Sequence, residues 1–127
     1  MAQGWLVYLY IATGGAIGAC LRYFLTNQFD SWFGKPIPFG TLVVNIVGSF
    51  CLALLYAAFE HHDLAENPYR ALIGVGLLGA LTTFSTFSIE TLALLENGLW
   101  MKALINVFLN VSLCLLAGWF AITMTKG

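Results

Sequence analysis

Four long apolar stretches, separated by short segments richer in polar residues, dominate the pattern along the chain. They cover residues 5–25, 39–60, 69–96 and 99–124. A helix needs about 20 mainly apolar residues to cross the hydrocarbon core of a bilayer, and each stretch reaches that length. The pattern therefore predicts an all-α membrane protein with four transmembrane helices, which form a single domain over residues 1–127.

Short connections join the predicted spans. They comprise residues 26–38, residues 61–68 and the pair Asn97-Gly98, and the first two contain prolines, which favour helix ends. No basic segment precedes the first apolar stretch, which is too long and too rich in glycine for a cleaved signal peptide. We therefore expect the first stretch to be retained as a membrane helix.

Composition supports a chain whose solvent is the lipid bilayer. Hydrophobic residues make up 60% of the sequence and charged residues only 9%, whereas about 25% of an average soluble domain is charged. The formal net charge is −1 and no basic cluster is present. This charge distribution excludes nucleic acid as a partner, because binding to phosphates requires many Lys or Arg residues on one face.

The basic residues are almost evenly divided between the two sides of the predicted bundle. Arg70 and Lys126 fall on one side, and Arg22, Lys35 and Lys102 fall on the other. Because an excess of Lys and Arg sets orientation, this near tie predicts insertion both ways up and an antiparallel homodimer. A single orientation set by another feature is the alternative. Four helices are also too few to enclose an aqueous pathway, which favours an oligomer.

A strip of small residues leads to an arginine on the first predicted helix. Gly14, Gly18 and Arg22 recur every four residues and share one face. The glycines are typical of close helix packing. For Arg22 two interpretations remain open: its side chain extends to the lipid headgroups, or it lines the entrance for an anion.

Amide side chains occur well inside two apolar spans. Asn45 shares a face of the second helix with Thr41, and Asn106, Asn110 and Cys114 follow one another every four residues on the fourth. A buried amide is costly without partners. These amides either hold helices together by hydrogen bonds or offer dipoles to a passing anion.

The third predicted span contains a sequence that is unfavourable for a regular helix. Residues 74–88 hold three glycines followed by five hydroxyl residues within seven positions. Glycine permits non-helical dihedral angles, and Ser and Thr side chains satisfy freed backbone groups. We therefore expect a discontinuity near Gly79–Ser85, where freed carbonyls could hold a cation. A continuous packed helix is the alternative.

Two aromatic residues and a carboxylate follow this discontinuity. Phe84 and Phe87 are three residues apart and lie on the same side of the helix. Their ring edges carry positive quadrupole character, so the two rings either contact a small anion or simply fill the core. Glu90, one turn further along, is either an interfacial group or a vestibule residue.

Three motifs, in this order and spacing, resemble the Fluc (CrcB) fluoride channel family. They are Gly14-Gly15-x-x-Gly18-x-x-x-Arg22-Tyr23, Phe39-Gly40-Thr41-x-x-x-Asn45-x-x-Gly48-Ser49 and Gly79-x-x-Thr82-Thr83-Phe84-Ser85-Thr86-Phe87-Ser88. The resemblance implies a dual-topology homodimer in the bacterial inner membrane with two antiparallel pores. Such a channel passively exports cytoplasmic fluoride down its electrochemical gradient and thereby lowers fluoride toxicity.

The resemblance also implies roles for individual residues. The side chains expected along the fluoride pore are those of Asn45, Phe84, Phe87, Ser85, Thr86, Thr41, Asn106 and Asn110. Arg22 and Glu90 correspond to vestibule positions. Gly79 and Thr82 match positions whose backbone carbonyls hold a structural Na⁺ at the dimer centre. Cys114 departs from the small or hydroxyl residue that many family members carry in the polar track of the fourth helix.

Other function classes fit the sequence less well. A small multidrug proton-coupled antiporter, the main alternative, needs a carboxylate in its first helix, and residues 5–25 contain none. A structural assembly subunit without transport is a third interpretation. The three cysteines occupy different spans, and a loop cluster such as His61-His62-Asp63 is more often solvated than metal-bound. The sequence therefore does not favour an enzyme.

Overall fold

Every regular element of the computed structural model is a helix within the described residues, which are 4–33, 37–60 and 68–126. The helices are α1 (Gly4–Phe33), α2 (Phe39–Glu60), α3 (a π-helical stretch Arg70–Leu78 followed by one α-helical turn Gly79–Leu81), α4 (Phe84–Glu96) and α5 (Trp100–Lys126). Helices α3 and α4 together form one span, so the described chain has four helical stretches long and apolar enough to cross a membrane. The predicted all-α membrane class is confirmed.

Helix α1 ends about two turns later than the sequence analysis predicts. The expected end near residue 25 is wrong, because α1 continues to Phe33. No glycine or proline interrupts residues 26–33, and Phe29 packs edge-on against Trp32, with ring centroids 5.4 Å apart. Asp30 in the added turns accepts a hydrogen bond from the Gly40 backbone N–H at 2.9 Å. The extension thus connects the end of α1 to the first turn of α2.

Backbone atoms of α1 and α3 touch directly. A Cβ atom placed on Gly14 would meet the carbonyl oxygen of Leu72, and one placed on Gly18 would meet that of Leu77. A Cβ atom on Gly76 would lie 2.8 Å from the carbonyl oxygen of a residue in α1. The packing interpretation of the glycine strip is therefore confirmed, because only glycine permits this approach.

The first half of the third span is wider than an α-helix. Residues 70–78 form π-helical turns, and the N–H of Gly79 donates to the carbonyl of Gly74, five residues earlier. Such turns are rare and usually occur singly. The glycines in this stretch do not by themselves predict π-helical turns.

Helix α2 lies at the centre of the bundle. In the most apolar 18 residues of each span, the buried share is 33% in α2, 28% in the third span and 11% in both α1 and α5. It packs against α5 on one side and against α1 and α3 on the other. Val44 of α2 forms the described core with Leu78 and Leu81 of α3. Many large apolar side chains on the outer helices are exposed, as expected for a chain that faces lipid.

Candidate functional site at the break in the third span

Two residues with extended backbone separate α3 from α4. Thr82 has φ −82° and ψ 155°, and Thr83 has φ −151° and ψ 119°. Helical geometry resumes at Phe84. These residues lie inside the segment Gly79–Ser85, where the glycine and hydroxyl content indicated a discontinuity.

Asn45 satisfies the backbone of Thr83 on both sides. The Thr83 N–H donates to Asn45 Oδ1 at 2.8 Å, and Asn45 Nδ2 donates to the Thr83 carbonyl at 3.2 Å. The Thr83 hydroxyl accepts from the N–H of Thr86 at 3.1 Å and so caps the first turn of α4. The nearby hydroxyl of Ser85 lies 3.4 Å from that of Thr83. Asn45 thus replaces helical hydrogen bonds that an extended residue loses.

Arg22 reaches the same segment from α1. Its Nε donates to the Ala80 carbonyl at 3.0 Å, across 58 positions of sequence. Because the chain leaves the helix two residues later, this carbonyl belongs to the last helical turn before the break, where a guanidinium group is favourable. Neither interpretation that the sequence left open for Arg22 included this contact.

The two phenylalanines after the break stand in different environments. Their ring centroids are 5.5 Å apart and the ring planes are tilted by 56°. Phe87 is only 8% exposed, whereas Phe84 is 78% exposed. They line a groove of about 350 Å³ together with Asn45, Ser49, Thr82, Thr83, Asn110, Val111, Cys114 and Leu115. The lining residues carry no formal charge and combine amide, hydroxyl and aromatic groups with apolar side chains.

The asparagines of α5 form one hydrogen-bonded row with Asn45. Asn45 Nδ2 donates to Asn110 Oδ1 at 3.0 Å, and Asn110 Nδ2 donates to the carbonyl and the Oδ1 of Asn106 at 2.9 and 3.2 Å. Asn106 Nδ2 donates to the Thr91 hydroxyl of α4 at 2.9 Å. These contacts favour the interpretation in which the amides hold helices together. Thr91 was not among the predicted site residues, because a single threonine in a helix gives no signal of a site in the sequence. Its contact with Asn106 exists only when α4 and α5 pack together.

Thr41 and Glu90 lie outside this row. Thr41 is 1% exposed, and neither its hydroxyl oxygen nor Glu90 Oε1 has a hydrogen-bond partner among the described residues. Glu90 and Asp30 line a second cavity of about 280 Å³ with Pro38, Ala93, Leu94 and Asn97. This cavity shares no lining residue with the groove. The structure therefore separates Glu90, which lines the more acidic cavity, from the predicted residues that line the groove.

Oxygen atoms at the break are candidates for a cation. The Gly79 carbonyl accepts a long hydrogen bond of 3.3 Å from the Thr82 hydroxyl. Within the described ranges no hydrogen bond reaches the Thr82 carbonyl. The same part of the chain contains no group of three or more His, Cys, Asp or Glu side chains that could hold a metal. The loop cluster His61-His62-Asp63 lies outside the described residues.

The sequence also matches known proteins along nearly its whole length. Residues 9–122 match the family profile described as CrcB-like protein, Camphor Resistance (CrcB). A protein of Alteromonas mediterranea named fluoride-specific ion channel FluC is 69% identical over 127 residues, which cover 100% of both chains. Proteins of the same name from Pseudoalteromonas translucida and Vibrio parahaemolyticus are 49% and 52% identical. These alignments cover 92% and 87% of this chain, and 99% and 87% of the relatives.

The four apolar helical stretches and these channel relatives identify a multi-pass membrane protein. The same motifs that suggested the family from sequence lie at the glycine contact, at the Asn45 bridge and at the break. The family profile and the full-length relative agree with them. The chain belongs to the CrcB family.

Proposed function

We propose that this protein is a fluoride channel. Its relatives are named fluoride-specific ion channels, and the family match extends over nearly the whole chain. A channel conducts an ion without changing its chemistry, so the protein is not an enzyme. The observation in the structure that supports this proposal best is the uncharged groove containing Asn45, Phe84 and Phe87 on an otherwise apolar bundle.

The groove offers what a small, strongly hydrated anion requires. Fluoride must exchange its water for other donors along its route, and the groove supplies amide N–H groups, hydroxyls and aromatic ring edges. A fixed cation at mid-depth would trap the anion, and the groove lining contains no Lys or Arg. We assign direct contact with fluoride to the rings of Phe84 and Phe87, with Asn45, Ser85 and Thr86 supplying nearby donors.

The groove is open on the side where Phe84 lies. Because Phe84 is 78% exposed, a single chain would provide only part of the wall of an ion pathway. A second copy inserted in the opposite orientation would supply that wall, and symmetry would then create two equivalent antiparallel pores. The near tie of Lys and Arg between the two sides supports this dual topology.

A structural Na⁺ fits the break in chemical type. Hard cations prefer oxygen ligands, and the carbonyls of Gly79 and Thr82 are weakly satisfied or unpaired among the described residues. These two carbonyls and their copies in the partner would hold the ion at the dimer centre. It would neutralise the carbonyl dipoles and leave fluoride conduction to the grooves.

The remaining predicted residues fall into supporting positions. Glu90 lines the acidic cavity and would belong to a vestibule outside the groove. Thr41 would contribute a buried hydroxyl to the fluoride pathway, and Asn106 and Asn110 would lie on the polar side of α5. Arg22 would contribute positive charge near the entrance while its Nε holds Ala80. These assignments keep formal charge out of the groove lining, which consists of neutral groups.

Net export would follow from the membrane potential. Hydrogen fluoride crosses membranes as a neutral acid and dissociates inside the cell. A negative interior then drives the anion outward with about 2.3 kcal/mol per 100 mV for each charge. A passive channel in the bacterial inner membrane would thus lower cytoplasmic fluoride and its toxicity.

Flux from liposomes tests this function. Purified protein is reconstituted in vesicles loaded with potassium fluoride or potassium chloride, and valinomycin sets a potassium diffusion potential. We expect rapid fluoride efflux at a fluoride electrode and very little chloride efflux in the matched vesicles. Equal flux of the two halides would contradict selectivity, and trapped fluoride would contradict the channel itself.

Topology reporters test the antiparallel dimer separately. A reporter fused to the C-terminus should give signal on both sides of the membrane, and cross-linking should capture a dimer. A one-sided signal would overturn the dual topology and leave the flux result intact.

The small multidrug antiporter gains no support from the comparisons. Helix α1 is longer than predicted and does include a carboxylate, Asp30. One of its oxygens, however, already accepts the Gly40 N–H, at the end of the helix near the loop. Apart from Asp30, helix α1 contains no Asp or Glu for proton exchange.

A further inference from the structure

We propose that Thr91, Asn106 and Asn110 are positioning residues that hold the Asn45 amide in one fixed orientation at the groove. This inference rests on the proposed fluoride channel, because it assigns to these residues an effect on conduction through Asn45. It separates them from residues that contact the ion. Thr91 thereby gains a role that its position in the sequence does not suggest.

The hydrogen bonds form a continuous row in which each group donates to the next. Thr83 N–H donates to Asn45 Oδ1, and Asn45 Nδ2 donates to Asn110 Oδ1. Asn110 Nδ2 donates to Asn106 Oδ1, and Asn106 Nδ2 donates to Thr91 Oγ1. The Thr91 hydroxyl finally donates to the Phe87 carbonyl at 2.8 Å. We call this row the amide relay.

The two ends of the amide relay determine the direction of every link. A backbone N–H can only donate, and a backbone carbonyl can only accept. The relay begins at the N–H of Thr83 and ends at the carbonyl of Phe87, so turning any one amide over would place donor against donor and acceptor against acceptor. Asn106 is 0% and Asn110 5% exposed, so water has little access to repair such a mismatch.

Both ends of the relay lie on the segment that carries the aromatic pair. Thr83 immediately precedes Phe84, and the last acceptor belongs to Phe87 itself. The relay therefore ties the backbone at Thr83, which precedes Phe84, and at Phe87 to α2 and α5. Helix α4 has few other contacts with α2, and the side-chain row supplies the connection that backbone packing does not.

The relay also divides the two hydrogens of the Asn45 amide nitrogen. One is held by buried Asn110 at 3.0 Å, and the other points to the Thr83 carbonyl in the longer bond of 3.2 Å. Because Thr83 and Asn45 both line the groove, an anion there competes with this carbonyl for the second hydrogen. Holding the first hydrogen keeps the second one aimed at the groove.

A pair of substitutions at Thr91 tests the relay. Thr91→Val keeps the shape and removes the hydroxyl, whereas Thr91→Ser keeps the hydroxyl. In the liposome assay we expect fluoride flux to fall about tenfold in Thr91→Val, equivalent to about 1.4 kcal/mol, and to stay within about twofold of the wild type in Thr91→Ser. Thr13→Val is the matched control, because the Thr13 hydroxyl also donates four residues back, to Leu9, but is exposed and joins no relay.

A double substitution distinguishes positioning from direct contact with the ion. If Thr91 acts through Asn45, then Asn45→Ala combined with Thr91→Val should lose no more flux than Asn45→Ala alone. Losses that multiply would overturn the relay. The ratio of chloride to fluoride flux should rise in Thr91→Val, since a loosened amide discriminates less; an unchanged ratio with a less stable dimer would indicate a merely structural role and contradict the proposal.

A measurement independent of flux separates this inference from the proposed function. Hydrogen exchange at the Thr83 N–H, followed by NMR on threonine-labelled protein in detergent, should be faster in Thr91→Val than in Thr91→Ser, Thr13→Val or the wild type. Unchanged protection in Thr91→Val would refute the relay even if the wild type conducts fluoride. A wild type that conducts no fluoride but shows this pattern would refute the channel and retain the relay.

Discussion

The two halves of the third span are fixed by different kinds of contact. Helix α3 meets α1 with backbone against backbone, through glycines that leave no room for a side chain. Helix α4 has no such contact among the described residues, and it is held by the amide relay and by the capped break at Thr83. One half depends on the absence of side chains, and the other depends on particular polar side chains.

This difference explains why the exposed groove lies beside α4. Helix α3 packs closely against α1 and also contacts α2, whereas α4 has fewer contacts with its neighbours and is joined to α5 through Asn106 and Thr91. The space left there is lined by groups that do not fill it. Close backbone packing thus characterises one half of the span, and polar side-chain contacts beside an open groove characterise the other.

The largest effect is expected when a side chain is forced into the glycine contact. Gly14→Leu should prevent recovery of folded protein, because the new side chain meets the backbone of Leu72 and overpacking of this kind costs about 3 kcal/mol or more. The matched control is Gly15→Ala, where the nearest atom to the new Cβ lies 4.0 Å away. Size-exclusion chromatography and thermal melting check this. Normal folding of Gly14→Leu would show that α1 and α3 can separate.

The next effect concerns the bridge between α2 and the break. Asn45→Leu leaves both backbone groups of Thr83 and one oxygen of Asn110 without their partner. We expect fluoride flux to fall about 100-fold, which corresponds to about 2.7 kcal/mol. Asn27→Leu serves as control, since Asn27 is exposed on α1 and lines neither the groove nor the acidic cavity. Similar flux in both variants would contradict the importance of the bridge.

Substitution of the aromatic rings separates the groove from the core. Phe84→Ile and Phe87→Ile should each reduce fluoride flux about tenfold while the dimer stays intact, because an aliphatic side chain has no positive ring edge. Phe87→Ile should also lower stability, since Phe87 is 8% exposed, whereas Phe84→Ile should not. Flux and thermal melting are measured on the same samples. Unchanged fluoride flux in both variants would show that the two rings only pack against their neighbours and do not contact the ion.

The smallest effect is expected at the contact from α1 to the end of α3. Arg22→Gln shortens the side chain and loses the bond from Nε to the Ala80 carbonyl, at a cost of about 1 kcal/mol in unfolding free energy. Arg70→Gln is the control, because Arg70 is exposed and stacks 5.2 Å above the ring of Tyr56 without a described bond to the break. Chemical denaturation compares the two variants. Equal stability would show that Ala80 needs no partner.

Prediction from sequence succeeded best where a sequence pattern is compatible with few structures. Membrane spans follow from the length of apolar stretches, and close glycine packing follows from spacing on one face. The sequence pattern predicts too early an end for α1, because residues 26–33 are less apolar but contain no helix breaker. The sequence left the partners of individual polar residues open, since an amide can either hydrogen-bond to a neighbouring helix or contact an ion.

The chain's own order of residues determined that it spans a membrane and which family it belongs to, because these depend on hydrophobic length and motif spacing. The tertiary structure decided which partners the polar groups use. Asn45, Asn110 and Thr91 come from three helices, and their hydrogen bonds exist only when those helices are packed together. Hydrogen bonds over such distances in sequence leave no periodic signal, so only the folded bundle assigns them.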